Sequence, residues 1–264
     1  MNRQQHKATQ AFSLVELSIV LVILGLLVGG ILSGQSLIRA AELRSVSTEF
    51  GRYSTAIGTF RDKYFALPGD MSNATSFWTT NGNGDGDGTV ELTTTAGAAA
   101  AATNEVSTFW IDLASAGLVE GSYTYTAATS TSVCGTMTAG TNNPKAKMGN
   151  AGWNALYLGT VAAAGVIYFD GTYGNVFLFN AGTACGTATA TTGVLKPEEA
   201  WNIDTKLDDG KPATGGVLSL ESQGLTAGTG CSSIDAGAGS LVASVYSLAN
   251  TSSTACSLVF KSGY

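Results

Sequence analysis

The chain has 264 residues, of which 12% are charged, and its formal net charge is −6. A general nucleic-acid-binding protein is excluded, because affinity for phosphate backbones needs clustered Lys and Arg. The only histidine, His6, lies before the first apolar segment. The remaining chain therefore has no Ser-His-Asp or Cys-His nucleophile arrangement and no histidine-based metal site. We predict that it is not an enzyme.

An apolar segment near the N-terminus dominates the sequence. Residues 12–38, FSLVELSIVLVILGLLVGGILSGQSLI, contain one charged side chain, Glu16, and the next charge is Arg39. The 22 uncharged residues between them are enough to cross a bilayer as a helix, which takes about 20 residues. A carboxylate at the edge of hydrocarbon costs about 2.5–3.5 kcal/mol on insertion scales. We therefore expect Glu16 to need a partner, supplied from outside this helix.

A short basic segment precedes the apolar one. MNRQQHKATQA contains Arg3 and Lys7 and no acid. An ordinary secretory signal is cut after its apolar region, but no such cleavage site is obvious after Leu32. A cut before the apolar segment fits better, and the apolar helix would then stay on the mature protein. The alternative is a plain signal anchor with a chance acid.

FSLVEL behind a short basic leader resembles the class III signal of type IV prepilins and type II secretion pseudopilins. The resemblance implies that a prepilin peptidase cuts between Ala11 and Phe12 and that the new amine of Phe12 is methylated. It also implies that Glu16 pairs with the N-terminal amine of a neighbouring subunit. The family usually has Gly before the cut, where this chain has Ala11.

The same resemblance implies a structural role. The chain would be a subunit of a type IV pilus-like or type II secretion filament, held by one helix in the bacterial inner membrane before assembly and periplasmic or extracellular afterwards. Its partners would be the peptidase, an inner-membrane assembly platform, and copies of itself or other pilin-like subunits. The alternative is a minor tip subunit that acts as an adhesin or captures DNA. No basic cluster supports DNA capture, and nucleic acid is not an expected partner.

A one-sided apolar stripe follows the membrane segment. Its members are spaced by three or four residues, which is typical of one helix face: Val46, Phe50, Tyr53, Ile57, Phe60 and Tyr64. The charged residues here, Glu49 among them, are expected on the other faces. The pattern predicts a helix from about Ser13 to Asp62 whose second half packs on a domain. We divide the chain into leader (1–11), membrane or filament-core helix (12–38), amphipathic continuation (39–66) and globular domain (67–264).

The globular domain is expected to be rich in strands. Leu67-Pro68-Gly69-Asp70 ends the helix, and residues 69–105 are predicted to form a loop. GVIYFDGTYGNVFLFN, residues 165–180, is predicted to form a central β-hairpin, because both faces are apolar and Gly and Asp supply turn residues. A helix is predicted at 197–209, and strands at 217–220, 241–246 and 258–261. The predicted fold class is α+β, a long N-terminal helix on an antiparallel sheet with the ladle shape of pilins.

The predicted loop contains a candidate calcium site. In NGNGDGDGTVE, oxygen-bearing side chains alternate with glycines, as they do in calcium-binding loops. The candidate ligands are Asn83, Asp85, Asp87 and Glu91. The twelfth position of the EF-hand pattern, normally an acid, is Thr94, so the pattern is incomplete. A flexible Asn-Gly-Asp turn without calcium is the alternative.

Four cysteines lie in the part that would be exported: Cys134, Cys185, Cys231 and Cys256. An even number in an oxidising compartment favours two disulfides, with three possible pairings. We favour the sequential pairing, 134–185 and 231–256, because nearby segments meet most easily. Free buried thiols are the alternative.

Overall fold

The computed structural model describes residues 13–79, 81–91, 105–125, 137–161, 168–181, 193–221, 230–233, 243–251, 253–261 and 264. Its α-helices and β-strands, in chain order, are α1 (Leu14–Tyr64), α2 (Glu105–Ser115), β1 (Gly152–Val161), β2 (Gly171–Asn180), α3 (Pro197–Leu207), β3 (Val217–Glu221) and β4 (Cys256–Lys261). The chain divides into two compact units, residues 1–42 and 43–264, which are described separately below.

The first unit, where it is described, is helical from Leu14 onward. Its large apolar side chains are exposed along the whole segment, from Leu14 at 84% to Ile38 at 63%. The helix is long and apolar enough to cross a membrane. An all-round apolar helix surface without protein cover is typical of a segment that lies in lipid or against other helices. Near its end, Arg39 and Glu42 form an ion pair of 3.1 Å.

In the second unit, the rest of α1 packs on the core through the predicted stripe. Val46, Tyr53, Ile57 and Phe60 are buried, while Phe50 and Tyr64 are partly buried against the same core. Phe177 of β2 lies at the centre of an aromatic cluster, where edge-to-face contacts stabilise beyond the area they bury. The rings within about 6 Å of it belong to Phe50, Tyr53, Phe109, Trp110, Trp153 and Tyr264. The predicted amphipathic helix is thus confirmed.

The sheet is antiparallel throughout, with strand order β1-β2-β4-β3. β1 and β2 are consecutive and pair over nearly their whole length, whereas β4 inserts between β2 and β3. The two middle strands, β2 and β4, are almost entirely buried. This long helix followed by an antiparallel sheet confirms the predicted α+β class.

The predicted hairpin at 165–180 is wrong in its pairing. β2 runs unbroken from Gly171 to Asn180, and its hairpin partner is β1, at 152–161. The glycines assigned to a turn lie inside β2, where Gly174 has a φ of 71° and faces Gly159, with a φ of 60°. The register shifts at this pair. A shift in register between two paired strands is a bulge. Glycine suits this position because it adopts a left-handed backbone without strain.

The remaining elements agree in part with the sequence. The helix predicted at 197–209 is confirmed as α3, and Gly210 beyond it has a φ of 73°. β3 and β4 confirm two predicted strands, but residues 243–246 form no strand apart from an isolated bridge between Ser232 and Tyr246. α2 was not predicted and begins at the last residue of the expected 69–105 loop.

One predicted disulfide is present. Cys231 bonds to Cys256, the first residue of β4, and both cysteines are buried. A closed loop with a sequence separation of 25 residues stabilises by about 3.5 kcal/mol in the chain-entropy model. Cys134 and Cys185 lie outside the described residues, so their predicted pairing stays a prediction.

Candidate functional site

The start of α1 carries the residues on which the assembly prediction depends. Ser13 directly precedes the helix, and its backbone N–H donates to Oε2 of Glu16 at 2.9 Å. The N–H of Val15 donates to Oγ of Ser13 at 3.4 Å. A serine before a helix and a glutamate three residues later are the sequence pattern of a capping box. Here the serine hydroxyl accepts from the second helical residue, and both hydrogen bonds satisfy N–H groups that have no partner inside the helix.

The expectation that Glu16 pairs with a group from outside this helix stays a prediction, because the structure describes a single chain. In the single chain the carboxylate already accepts a hydrogen bond from Ser13. It also lies at the end of the helix where backbone N–H dipoles favour a negative charge. Ala11 and Phe12 lie outside the described residues, so the predicted cleavage and methylation site stays a prediction.

The second candidate region is the glycine-rich loop at 81–91, which is held by two carboxylates from outside the repeat. Asp70 Oδ1 accepts the N–H groups of Gly86 and Asp87 at 2.7 and 3.1 Å. Asp70 Oδ2 accepts the N–H of Gly88 at 3.0 Å. Successive backbone N–H groups that converge on one anion form a nest. Here the anion is a side chain of the protein itself.

Glycine is required at several points of this loop for steric reasons. A Cβ on Gly84 would lie 2.4 Å from backbone atoms of Asp70, closer than atoms can pack. Gly86 and Gly88 have φ values of 81° and 90°, where residues with a side chain are strained. The glycine alternation therefore has a structural cause that does not depend on a metal ion.

Helix α2 holds the same loop through a buried polar face. Glu105 accepts the N–H groups of Asp85 and Glu91, one on each oxygen, at 3.0 and 3.1 Å. One turn and two turns further on, Thr108 donates to the carbonyl of Gly69, and Asp112 accepts the Gly69 N–H at 2.8 Å. These three α2 side chains are buried.

The predicted calcium ligands are brought together only in part. Asp70, Asp85 and Asp87 each place one carboxylate oxygen within 4.8 Å of the other two. Asp70 is not among the ligands predicted from the sequence. Asn83 instead accepts the N–H of Thr75 at 2.9 Å, and Glu91 lies outside this group of three. Asp70 carries no local signal, because it sits in the turn after α1 and not in the repeat.

The electrostatics of this region favour a proton or a cation. Burial raises the pKa of Asp70, and the charges of Asp87 and Asp85 add to the effect. Burial likewise raises the pKa of Glu105 to about 8, against the opposing effect of its two backbone hydrogen bonds. In the part of the chain that the structure describes, no Lys or Arg forms an ion pair with Asp70, Asp85 or Asp87.

These pKa shifts predict how stability depends on pH. A carboxyl group that titrates near 4.5 when unfolded and at about 8 when folded stabilises the fold fully below pH 4.5, and this contribution is lost as the pH rises towards 8. We expect the melting temperature in chelator to fall between pH 5 and 8, and to fall less steeply in Glu105→Gln. Thermal melts across this range measure both slopes. Glu198→Gln, at an exposed site, is the control; an unchanged slope in Glu105→Gln would assign the effect to other groups.

A second group of three acids, Asp204, Asp208 and Asp209, lies around the end of α3. Each has a partner within the fold. Asp204 accepts from the hydroxyl of Tyr246 and from Gly210 N–H, and Asp208 accepts from Gly216 and Val217 N–H. The group therefore ties α3 to the turn before β3.

Comparison with known protein families identifies the N-terminal segment. Residues 6–32 match the family model described as the prokaryotic N-terminal methylation motif. The chain carries the class III signal peptide of type IV pilins and pseudopilins. Neither a curated protein nor a solved structure matches the chain.

The class III signal agrees with the structure around it. The motif spans the start of α1, including the capping box and the exposed apolar helix. A signal of this class marks a chain that prepilin peptidase processes and that assembles through its N-terminal helix. It indicates a structural subunit that is anchored in a membrane before assembly. The α+β layout of long helix and antiparallel sheet is consistent with that of pilins.

Proposed function

We propose that the chain is a structural subunit of a type IV pilus-like or type II secretion filament, processed between Ala11 and Phe12 and methylated at Phe12. The observation that carries the proposal is the methylation motif at 6–32. In its support, the apolar side chains of residues 14–38 are uncovered in the single chain. Lipid covers such a surface before assembly, and helices of neighbouring subunits cover it afterwards.

During assembly the N-terminal helix leaves the lipid bilayer and packs against the helices of neighbouring subunits. A carboxylate and an amine that leave the membrane edge for a dry filament core are costly to bury unless they pair. Glu16 of one subunit and the Phe12 amine of its neighbour supply that pair. The globular unit from residue 43 onward supplies the outer surface of the filament. The assembly platform in the inner membrane is the partner that this step requires.

Deleting the prepilin peptidase tests this proposal. We expect the chain to keep residues 1–11 and to remain in the membrane fraction, because an uncut leader keeps the amine away from Glu16. In the parent strain the chain should appear in sheared filaments. Equal amounts in the filaments of both strains would overturn the proposal. The number of copies per filament separates a major subunit from the tip adhesin or DNA-capture subunit that is the alternative.

We also propose that calcium binds at the acidic loop, with Asp85 and Asp87 as ligands and Asp70 beside them. The support is the approach of three carboxylates without a cation among the described residues. Asp85 and Asp87 each use one oxygen for a hydrogen bond inside the loop, which leaves the other oxygen for an ion. Calcium takes carboxylate oxygens of this kind at exposed loops. It would offset the charge repulsion from Asp87 and Asp85, which adds to the effect of burial in raising the pKa of Asp70.

The calcium proposal predicts metal-dependent stability. A ligand that binds only the folded state stabilises it, by about 2.7 kcal/mol at a hundred times its dissociation constant. We expect a higher melting temperature in calcium than in chelator, and no difference between them in the double variant Asp85→Ala, Asp87→Ala. The double variant Asp208→Ala, Asp209→Ala is the matched control and should keep the response. Equal melting temperatures for the unmodified chain in calcium and chelator would leave the loop as a metal-free turn.

A further inference from the structure

Phe65, the residue that follows α1, has two features that are unfavourable in a free chain. Its side chain is 93% exposed. Its φ is 55°, in the left-handed region, and its N–H donates to the carbonyl of Arg61 at 2.8 Å, which ends the helix in the way that glycine usually does. Among the residues that the structure describes, no other residue except glycine has a positive φ. A bulky residue in this conformation is strained, and such strain is concentrated at functional sites.

A groove on the solvent side of α1 has room for a phenyl ring. Its volume is about 380 Å³, and it is lined by Gly51, Arg52, Thr55, Ala56, Thr59 and Leu118. The hydroxyls of Thr55 and Thr59 donate to carbonyls of their own helix at 2.8 and 2.9 Å, so neither hydroxyl needs a partner from outside. A cavity of about 150 Å³ already binds benzene. The groove can therefore take one aromatic side chain.

Gly51, at the groove, is not required by the fold of the single chain. A Cβ added to it would meet no atom within 4 Å. Glycine in the middle of a helix is also less stable than alanine. A ring that enters the groove from another molecule would use the space that a side chain at this position would fill.

Charged side chains beside the two features are complementary. Asp62 is exposed one turn before Phe65, and Arg52 lines the groove. Among the described residues neither Asp62 nor Arg52 forms an ion pair. The Arg52 guanidinium lies 5.0 Å from the centre of the Tyr53 ring and donates to the Tyr53 hydroxyl at 3.0 Å. It is thus held where it can meet an acid and an aromatic ring of a second molecule.

We propose that Phe65 of one subunit inserts into the groove on α1 of a second copy of the chain, with Asp62 of the first copy facing Arg52 of the second. The inference rests on the proposed function, which brings many copies of α1 together. It adds a contact between the globular units, 43–264, to the one made by the apolar N-terminal segments.

The positions of the two features favour an open contact between copies. Phe65 lies ten residues beyond Thr55, which corresponds to about 15 Å along the helix axis. The cleft beside Phe65 is lined by Gly58 and Arg61, which lie on a different face of α1 from the groove, since successive residues are about 100° apart. A subunit therefore uses Phe65 towards one neighbour and its groove towards another. Such a heterologous contact continues from copy to copy and does not stop at a dimer.

Two substitutions separate this role from a structural one. Phe65→Gly removes the ring and the backbone strain, and Gly51→Leu fills the groove with a good helix former. We expect the melting temperature of the mature chain in detergent to stay the same or rise in both variants. The amount of chain in sheared filaments should fall by about tenfold or more, because an aromatic anchor carries much of the binding energy of a contact.

Trp201→Ala, which removes an exposed aromatic side chain from α3, is the control and should assemble like the unmodified chain. Unchanged filament content in either Phe65→Gly or Gly51→Leu would overturn the contact. A lower melting temperature in either variant would also overturn it, since the side chain would then serve the fold of the single chain.

A cysteine pair that keeps Phe65 tests the contact directly. Asp62→Cys and Arg52→Cys place two thiols ten residues apart on one helix, about 15 Å, whereas a disulfide joins Cα atoms less than about 7 Å apart. A bond between these two positions therefore joins two subunits. We expect oxidised filaments of the double variant to give a series of cross-linked oligomers on non-reducing gels. Asp62→Cys with Thr205→Cys, at an exposed position of α3, is the matched control and should give none.

Oligomers beyond the dimer in the Asp62→Cys, Arg52→Cys variant support the contact. Dimers alone, assembled filaments without cross-links, or equal cross-linking in the control would overturn it while leaving the proposed function in place. Cross-links from the single variant Asp62→Cys to a different protein would also overturn it. If the unmodified chain is absent from filaments, the proposed function fails, and this contact fails with it.

Discussion

Glu16→Leu is expected to remove the chain from sheared filaments while leaving it in the membrane. The substitution makes the helix more apolar, so insertion should be retained or improved. The leader should still be removed if the peptidase mainly recognises the residues around Ala11 and Phe12. What is lost is the only carboxylate that the apolar segment offers to a neighbouring amine.

The measurement is the ratio of chain in sheared filaments to chain in membranes, which we expect to fall at least tenfold. That factor corresponds to about 1.4 kcal/mol, below the usual cost of leaving a buried charge without its partner. Glu42→Leu, on the same helix, is the matched control and should assemble. A subunit placed only at the tip, with no subunit ahead of it, would escape the requirement and be recognised by its low copy number. An abundant Glu16→Leu subunit in filaments would contradict the pairing role.

Glu49→Leu is expected to destabilise the globular unit strongly. Glu49 is buried at 5% exposure, and its two oxygens accept Trp153 Nε1–H at 2.7 Å and the Lys147 N–H at 3.1 Å. Leucine leaves both donors without an acceptor in a dry environment. Each buried donor without a partner costs about 1–3 kcal/mol. We therefore expect a loss of about 2–5 kcal/mol in the free energy of unfolding.

Urea denaturation of the mature chain in detergent, followed by tryptophan fluorescence, measures this loss. Glu49→Gln keeps one acceptor oxygen and should lose less than Glu49→Leu. Asp62→Asn, at an exposed position of the same helix, should have a small effect of about 0.5 kcal/mol or less. Equal stabilities of Glu49→Leu and the unmodified chain would show that the two donors find other acceptors.

Glu49 also shows where sequence reasoning reaches its limit on α1. The apolar stripe is a local signal with a helical period, and the structure buries it as predicted. A carboxylate between two stripe positions was expected in solvent, because charged residues are rarely buried without a partner. Its partners lie about a hundred positions later, at Lys147 and Trp153. No local pattern links residues so far apart.

The predictions for the loop and for α2 were incomplete for a related reason. The Asn-Gly-Asp alternation pointed to Asp85 and Asp87, which the structure places together. The carboxylates that hold the loop, Asp70 and Glu105, lie outside the repeat, on either side of it. α2 was not predicted, because its polar residues Glu105, Thr108 and Asp112 are on a buried face and interrupt the expected apolar pattern.

The strand pairing was misassigned because glycine has two uses in a sheet. Gly171 and Gly174 suggest a turn in the sequence, but both belong to β2. Gly174 faces Gly159 at a bulge, whereas Gly171 pairs with Val161. Because both faces of β2 are apolar, its sequence has no alternation of apolar and polar residues that could indicate the pairing register. The start of the chain was predictable in contrast, since a basic leader, FSLVEL and a long uncharged segment are contiguous. The hydrogen bond from Ser13 to Glu16 needed atomic positions.

The N-terminus of the chain recovered from filaments tests the central claim most directly. Filaments are sheared from cells and purified, and the intact mass and N-terminal peptide of the chain are read by mass spectrometry. We expect the chain to begin at Phe12, with one added methyl group on its amine and residues 1–11 absent. A chain that begins at residue 1 would contradict the assignment as a class III-processed filament subunit. So would the absence of the chain from the filament fraction together with a cut after Leu32 in the chain recovered elsewhere.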